Sequence, residues 1–252
     1  MIVRSTDPNE IVTSVSRCIP RDVRYIQLLS TPADTSVLEG EFYSLPVDIH
    51  LSEPAIEYPE LYNYANLLDS HPIRVSVEVW PGFSKAVRLA VSLNFAVKLE
   101  MVQPNDKLIE ELESVLDLYL HRSNVRQAIE FFHSLLLSFW RNEPVSVWEI
   151  SEDDPSQVRY ITDDGKEMIS RRFIDRGEIA APDQYSELLQ RHIASSSDCA
   201  ECQFFNRCRG YFKWPDASYD CTGVKRIFGT LESSAKELQQ DLAGYREMEV
   251  QI

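Results

Sequence analysis

Through its first half the chain alternates short β-rich runs with longer segments of helical periodicity, an order that commits it to parallel strands joined by crossovers. Strands are predicted over residues 23–29, 47–51, 73–79 and 95–102, after a first helix opened by Thr6, Asp7 and Pro8. Residues 59–70 and 81–93 read as helices with Pro in the first turn, where its missing N–H costs nothing. The crossover at 30–45 is less regular. After the fourth strand, Leu108, Leu112, Val115, Leu116, Tyr119 and Leu120 recur on one helical face, while Glu110, Glu111, Glu113 and Asp117 fall mostly elsewhere. This helix should lie on the outside of the sheet. Residues 129–140 are apolar almost all round, which predicts a second, deeply buried helix.

Further on, residues 145–150 and 158–161 read as two strands joined by the acidic turn Glu152, Asp153, Asp154 and Pro155, whose acids turn chemistry explains better than a metal does. Residues 163–182 read as a linker and 185–193 as a helix. A terminal helix then carries Val224, Ile227, Phe228, Leu231, Ala235, Leu238 and Leu242 on one side. The expected division is therefore 1–182 and 183–252.

Charge narrows the partners. Lys and Arg total 25 against 40 Asp and Glu, a formal charge of -15 with no long basic stripe, so no nucleic acid is expected as a partner. Residues 129–140 are shorter than the roughly 18–20 apolar residues that span a bilayer, and residues 1–10 lack the apolar core of a signal peptide. No membrane association and a cytoplasmic location are expected. In that reducing compartment five cysteines suit a metal better than disulfides. Cys18, after Val12 and Val15 and before Ile19, is expected to be a buried structural thiol on the first helix.

The other four form C-x2-C-x5-C-x12-C: Cys199, Cys202, Cys208 and Cys221. Four thiolates make a complete set for one zinc or for the corners of a cubane cluster. Zinc ribbons pair two C-x2-C knuckles, whereas Cys208 and Cys221 each stand alone, so the spacing favours an iron-sulfur cluster, with zinc as the alternative. Between Cys199 and Arg226, five basic residues (Arg207, Arg209, Lys213, Lys225, Arg226) face three acidic ones (Glu201, Asp216, Asp220), which suits a centre of net negative charge. Thr222 and Gly223 open the terminal helix just after Cys221, turning its positive end towards that sulfur. Phe204, Phe205, Tyr211, Phe212 and Trp214 are expected to wall the site.

This stretch, with Arg209-Gly210-Tyr211-Phe212 after Cys208, resembles part of the SPASM domain at the C-terminus of radical SAM enzymes that modify peptides. The resemblance covers about the last quarter of the chain. It implies one auxiliary 4Fe-4S cluster on Cys199, Cys202, Cys208 and Cys221, and an α/β fold: a shortened partial (β/α) barrel followed by a small four-cysteine metal-binding module and a terminal helix. The family's C-x3-C-x2-C motif is missing, with only Cys18 near its place, so no SAM binding is expected. The cysteines of the family's other auxiliary cluster are missing too. These departures imply an accessory protein that binds a partner enzyme, such as a radical SAM protein, or a peptide substrate, and relays electrons. The alternative is a zinc-stabilised interaction domain without redox function.

No Gly-rich phosphate loop, nucleophile elbow or His-Glu-x-x-His pair is present, and no catalytic residue is identified. Of the scattered histidines (His50, His71, His121, His133, His192), His50 ends a predicted strand beside Asp48, and Glu78 and Trp80 end the next. Strand ends form the functional rim of barrels. The simpler expectation is that they belong to a solvated polar face.

Overall fold

A computed structural model of the protein, describing residues 1–18, 22–39, 44–101, 103–154, 156–158, 160–161, 167–168, 190 and 197–249, resolves the alternation into one six-stranded parallel sheet. Its strands are β1 (Ile2–Ser5), β2 (Tyr25–Leu28), β3 (Val47–Leu51), β4 (Ile73–Glu78), β5 (Ala96–Glu100) and β6 (Ile129–Glu130), paired in strict chain order. Helices α1 (Pro8–Ser16), α2 (Pro54–Glu57), α3 (Phe83–Ser92) and α4 (Asp106–His121) flank it. The four predicted strands are present; the edge strands β1 and β6 were not predicted, because one carries Arg4 and Ser5 and the other is two residues long.

Three local expectations change. The helix predicted over 59–70 is a 3-10 helix, Tyr58–Asp69, continuing from α2. The helix predicted from residue 129 starts later, since Ile129 and Glu130 pair with Val97 and Lys98 of β5. Glu111 is not a solvated acid of α4: its carboxylate accepts the N–H groups of Gly82 and Ser84 at 3.0 and 3.2 Å and the Ser84 hydroxyl at 2.6 Å. It thereby caps α3, whose N-cap Gly82 (φ 89°) has no side chain to do so.

The register sorts the sheet into two unlike faces. On one, Ile26, Val47 and Ile73 stand in a row, then Leu28, Ile49, Val75, Val97 and Ile129, then Leu51, Val77 and Leu99, all buried. On the other lie Gln27, Asp48 and Arg74, then His50, Ser76, Lys98 and Glu130, then Glu78 and Glu100. This second face is not a solvated one, as expected from alternation: Gln27, Asp48, His50, Ser76 and Lys98 are all buried. Burying such groups demands partners. Asp48 supplies many, accepting from Gln27 Nε2 at 2.8 Å, Arg74 at 2.9 Å and the Ser76 hydroxyl at 2.9 Å.

The chain divides into two compact units, Met1–Glu130 and Phe131–Ile252. The expected boundary at 182/183 falls outside the described residues. So do the linker over 163–182, apart from Glu167 and Met168, and the helix over 185–193, apart from Gln190. In the second unit, α5 (Phe132–Arg141) buries Phe132, Leu135 and Ser138 along one stripe, with its other residues half-buried or exposed, so it is not buried all round. It packs against the terminal helix, Thr222–Glu249, where Val224, Ile227, Phe228, Leu231 and Ala235 are buried. Leu238 and Leu242 are 45% and 48% exposed, so the buried stripe ends before the predicted one.

Residues 145–150 are not a strand. Val147–Ile150 form the one-turn helix α6, because Ser146 and Glu149 make a capping box that outweighs the β-branched valines. Ser146→Ala should therefore lower stability by about 1 kcal/mol, read as a shift in the thermal or urea unfolding midpoint. The predicted strand over 158–161 survives as Tyr160–Ile161, paired antiparallel with Glu167–Met168. In the acidic turn before it, Asp154 accepts the N–H and hydroxyl of Ser156 at 2.9 and 2.7 Å, which is turn chemistry as expected. Among the described residues no helix is long and apolar enough to cross a membrane.

Candidate functional site

Cys199 lies in a one-turn helix, Ser197–Ala200, and Cys202 follows with its N–H on the Cys199 carbonyl at 3.3 Å. A second turn, Phe205–Cys208, ends at Cys208. Arg209 (φ 45°) and Gly210 (φ 75°) then take the left-handed conformation and reverse the chain. Cys221 stands immediately before the terminal helix, where Asp220 accepts the N–H of Thr222 at 2.9 Å and its hydroxyl at 2.6 Å. These hydrogen bonds, the side-chain one foremost, hold the Asp220 carboxyl below its ordinary range.

All four of these cysteines line one pocket. Its apolar wall includes Phe204, Phe205 and Phe212 as expected, together with Val224 and Phe228 of the terminal helix. Tyr211 and Trp214 are buried but are not among the lining residues. Tyr211 instead meets Trp148 edge-on, ring centres 4.9 Å apart, and its hydroxyl donates to Asp153 at 3.4 Å. Arg207 also leaves the site: it donates to the Ser138 hydroxyl at 2.9 Å and carbonyl at 3.2 Å, and its guanidinium stacks 4.1 Å from the Phe139 ring. Its task is to fasten α5 to the cysteine segment.

Two cations do reach the pocket, Lys213 and Lys225. Lys213 is the unusual one, because its side chain is only 3% exposed. Its ammonium donates to Asp198 at 3.1 Å and to the Tyr219 carbonyl at 2.8 Å. A lysine is almost never this buried unless something anionic compensates for the lost water.

The thiols are all free, and burial raises two of them, Cys208 and Cys221. Burial pushes Cys208 up to about 11, against the opposing pull of backbone N–H groups of Phe212, Gly210 and Tyr211 that hydrogen-bond to it. Burial pushes Cys221 up to about 12, aided by the neighbouring Cys208 and opposed by Lys213 and Lys225. Cys18 is half-buried rather than buried, lies beyond the end of α1, and donates to the Ser14 carbonyl at 3.2 Å.

The spacing of the thiols bears on what they would hold. Four sulfurs on one zinc stand about 3.8 Å apart, the edge of a tetrahedron with Zn–S of about 2.3 Å. Among the described residues no three of the cysteine sulfurs lie within 4.8 Å of one another. Four soft donors share this apolar-walled pocket without closing to the spacing of a single ion.

In the first unit, His50 and Glu78 come together as well, Nε2 to Oε1 at 3.4 Å. Sequence reasoning missed their third member, Glu100, whose Oε2 is 3.3 Å from the same nitrogen. The only signal was its place at the end of a predicted strand. Among the described residues the other histidines belong to neither group. His71 is buried with ring nitrogens 2.8 and 3.0 Å from the Leu45 and Leu38 carbonyls, His121 is exposed beside Asp117, and His192 lies outside the described residues.

Fold and site together define an α/β protein with a six-stranded parallel sheet, followed by a unit in which four cysteines share a pocket. Compared with known proteins, the chain matches no family model, no curated protein and no solved structure.

Proposed function

We propose that this protein is an iron-sulfur accessory protein that carries one 4Fe-4S cluster on Cys199, Cys202, Cys208 and Cys221. The observation that carries the reading is the convergence of these four thiols on a pocket shared with the buried Lys213. A cluster with four thiolates is anionic, and the presence of Lys213 and Lys225 at the same pocket suits that charge. When bound, the cluster supplies one-electron transfer. The chain's residues do the rest: Phe204, Phe212 and Phe228 keep water away, and N–H groups after Cys208 hydrogen-bond its sulfur.

The likeness of the cysteine segment to SPASM domains extends the proposal. On this reading the six parallel strands are a shortened partial barrel, the protein works in the cytoplasm beside a radical SAM enzyme or its peptide substrate, and it does not bind SAM itself.

Iron, sulfide and zinc analysis of anaerobically purified wild type and Cys202→Ser, with paramagnetic resonance after reduction, tests the cluster. About four irons and four sulfides per chain, lost or altered in the variant, are expected. One zinc and no iron after reconstitution would overturn the proposal in favour of a zinc-stabilised interaction domain. Peptide turnover by a candidate partner enzyme, with and without this protein, tests the accessory role.

A further inference from the structure

We propose that His50, Glu78 and Glu100 form a binding site for one divalent first-row transition ion, such as Mn2+, Fe2+ or Zn2+, at the carboxyl edge of the sheet and independent of the cysteine pocket.

The three residues come from three adjacent parallel strands. Glu78 and Glu100 are the last residues of β4 and β5 and stand opposite each other in register. His50 reaches them from β3 on the same face, and the carboxyl ends of parallel strands are where such sheets bind ligands. One nitrogen and two carboxylate oxygens lie within 4.8 Å of one another.

The distances favour ligands over an ion-paired imidazolium. Charge-assisted N–H···O bonds close to roughly 2.7–2.9 Å. His50 Nε2 instead stands 3.4 Å from Glu78 and 3.3 Å from Glu100. Nitrogen and oxygen ligands about 2.1 Å from one ion, at tetrahedral angles, are separated by roughly 3.4 Å.

The second oxygen of each carboxylate is already occupied, which aims the first. Glu78 Oε2 accepts from Trp80 Nε1 at 2.7 Å, and Glu100 Oε1 lies 3.5 Å from the ammonium of Lys98. Groups that orient ligands in this way tune metal affinity. His50 is 3% exposed while the two glutamates are 25% and 26% exposed, so the site has a fixed floor and an approach from outside. One imidazole among the donors points to a transition ion rather than Ca2+ or Mg2+, and three protein ligands leave coordination positions open.

Mn2+ is the probe, because thiolate sites take it poorly. Free Mn2+ counted by paramagnetic resonance, in excess Mg2+ to occupy surface acids, gives the stoichiometry on the full chain. Wild type and Cys199→Ser/Cys202→Ser should each bind one Mn2+. Glu78→Gln and Glu100→Gln should each weaken binding tenfold or more, and saturating Mn2+ should raise the thermal midpoint of wild type but not of these variants. Trp80→Phe, at a residue 52% exposed, keeps all three ligands and should weaken binding several-fold, which guards against a misfolded glutamine variant. Absence of Mn2+ binding by folded wild type, or binding undiminished in both glutamine variants, would overturn the proposal. Loss of binding in the double cysteine variant while its far-ultraviolet dichroism stays native would also overturn it, without touching the cluster assignment.

Discussion

Between pH 8 and pH 6, the affinity of the four-cysteine pocket for a thiophilic ion such as Cd2+ should fall at least about 100-fold for each unit of pH. Burial holds Cys208 up to about 11 and Cys221 up to about 12, so both thiols carry protons throughout this window. A metal binds the thiolate, and entry must displace both protons. Each proton displaced contributes about a tenfold loss of affinity per unit fall in pH, so these two alone set a minimum of about 100-fold. The sign follows directly: acid opposes loading, alkali favours it. Titrations followed by thiolate-to-metal charge-transfer absorption at several pH values measure the slope, and Cys221→Ser should bring it down by about one proton. The same protons oppose cluster loading, so reconstitution should proceed further at pH 8 than at pH 6.

Asp48→Asn should destabilise the first unit by roughly 3–5 kcal/mol, the cost of removing one partner from a buried charged pair. Asp48 is 1% exposed and both its oxygens are engaged, by Gln27, Arg74 and Ser76. An amide keeps the volume but turns one acceptor into a donor, facing groups that are themselves donors. Arg74 is 24% exposed and stacks 4.4 Å from the Tyr25 ring, so partial access to water places the expected loss towards the lower end. Urea unfolding measures the total, and hydrogen exchange of the β3 and β4 amides locates it. Asp48→Leu combined with Arg74→Met should recover only part of the loss, because it removes the uncompensated charge but leaves the buried Gln27 and Ser76 donors without their acceptor.

How much of this was legible beforehand depended on how local the encoding is. The runs at 47–51 and 73–79 were readable because Val and Ile in a short run, followed by Pro-led helical segments, carry their own preference. The cysteines were readable because their spacing needs no fold to be noticed, and the structure gathers all four of them at one pocket. Ser146 and Glu149 are equally local, yet the β-branched run they sit in reads as a strand until the capping box between them is seen. The edge strand Ile2–Ser5 was not readable, since four residues with two polar ones become a strand only through pairing with Tyr25–Leu28.

By itself, then, the sequence determined the α/β class, the order of the central elements and the four cysteines as one candidate ligand set, all of which follow from patterns within a few turns of chain. Tertiary structure alone decided that the polar face of the sheet is buried, that Glu111 caps a helix rather than meeting water, and that Lys213 rather than Arg207 sits at the cysteines. It also decided that His50, Glu78 and Glu100 meet. The physical reason is register: strands far apart in the chain bring residues opposite one another through backbone pairing, and no local periodicity records which residue will stand across from which.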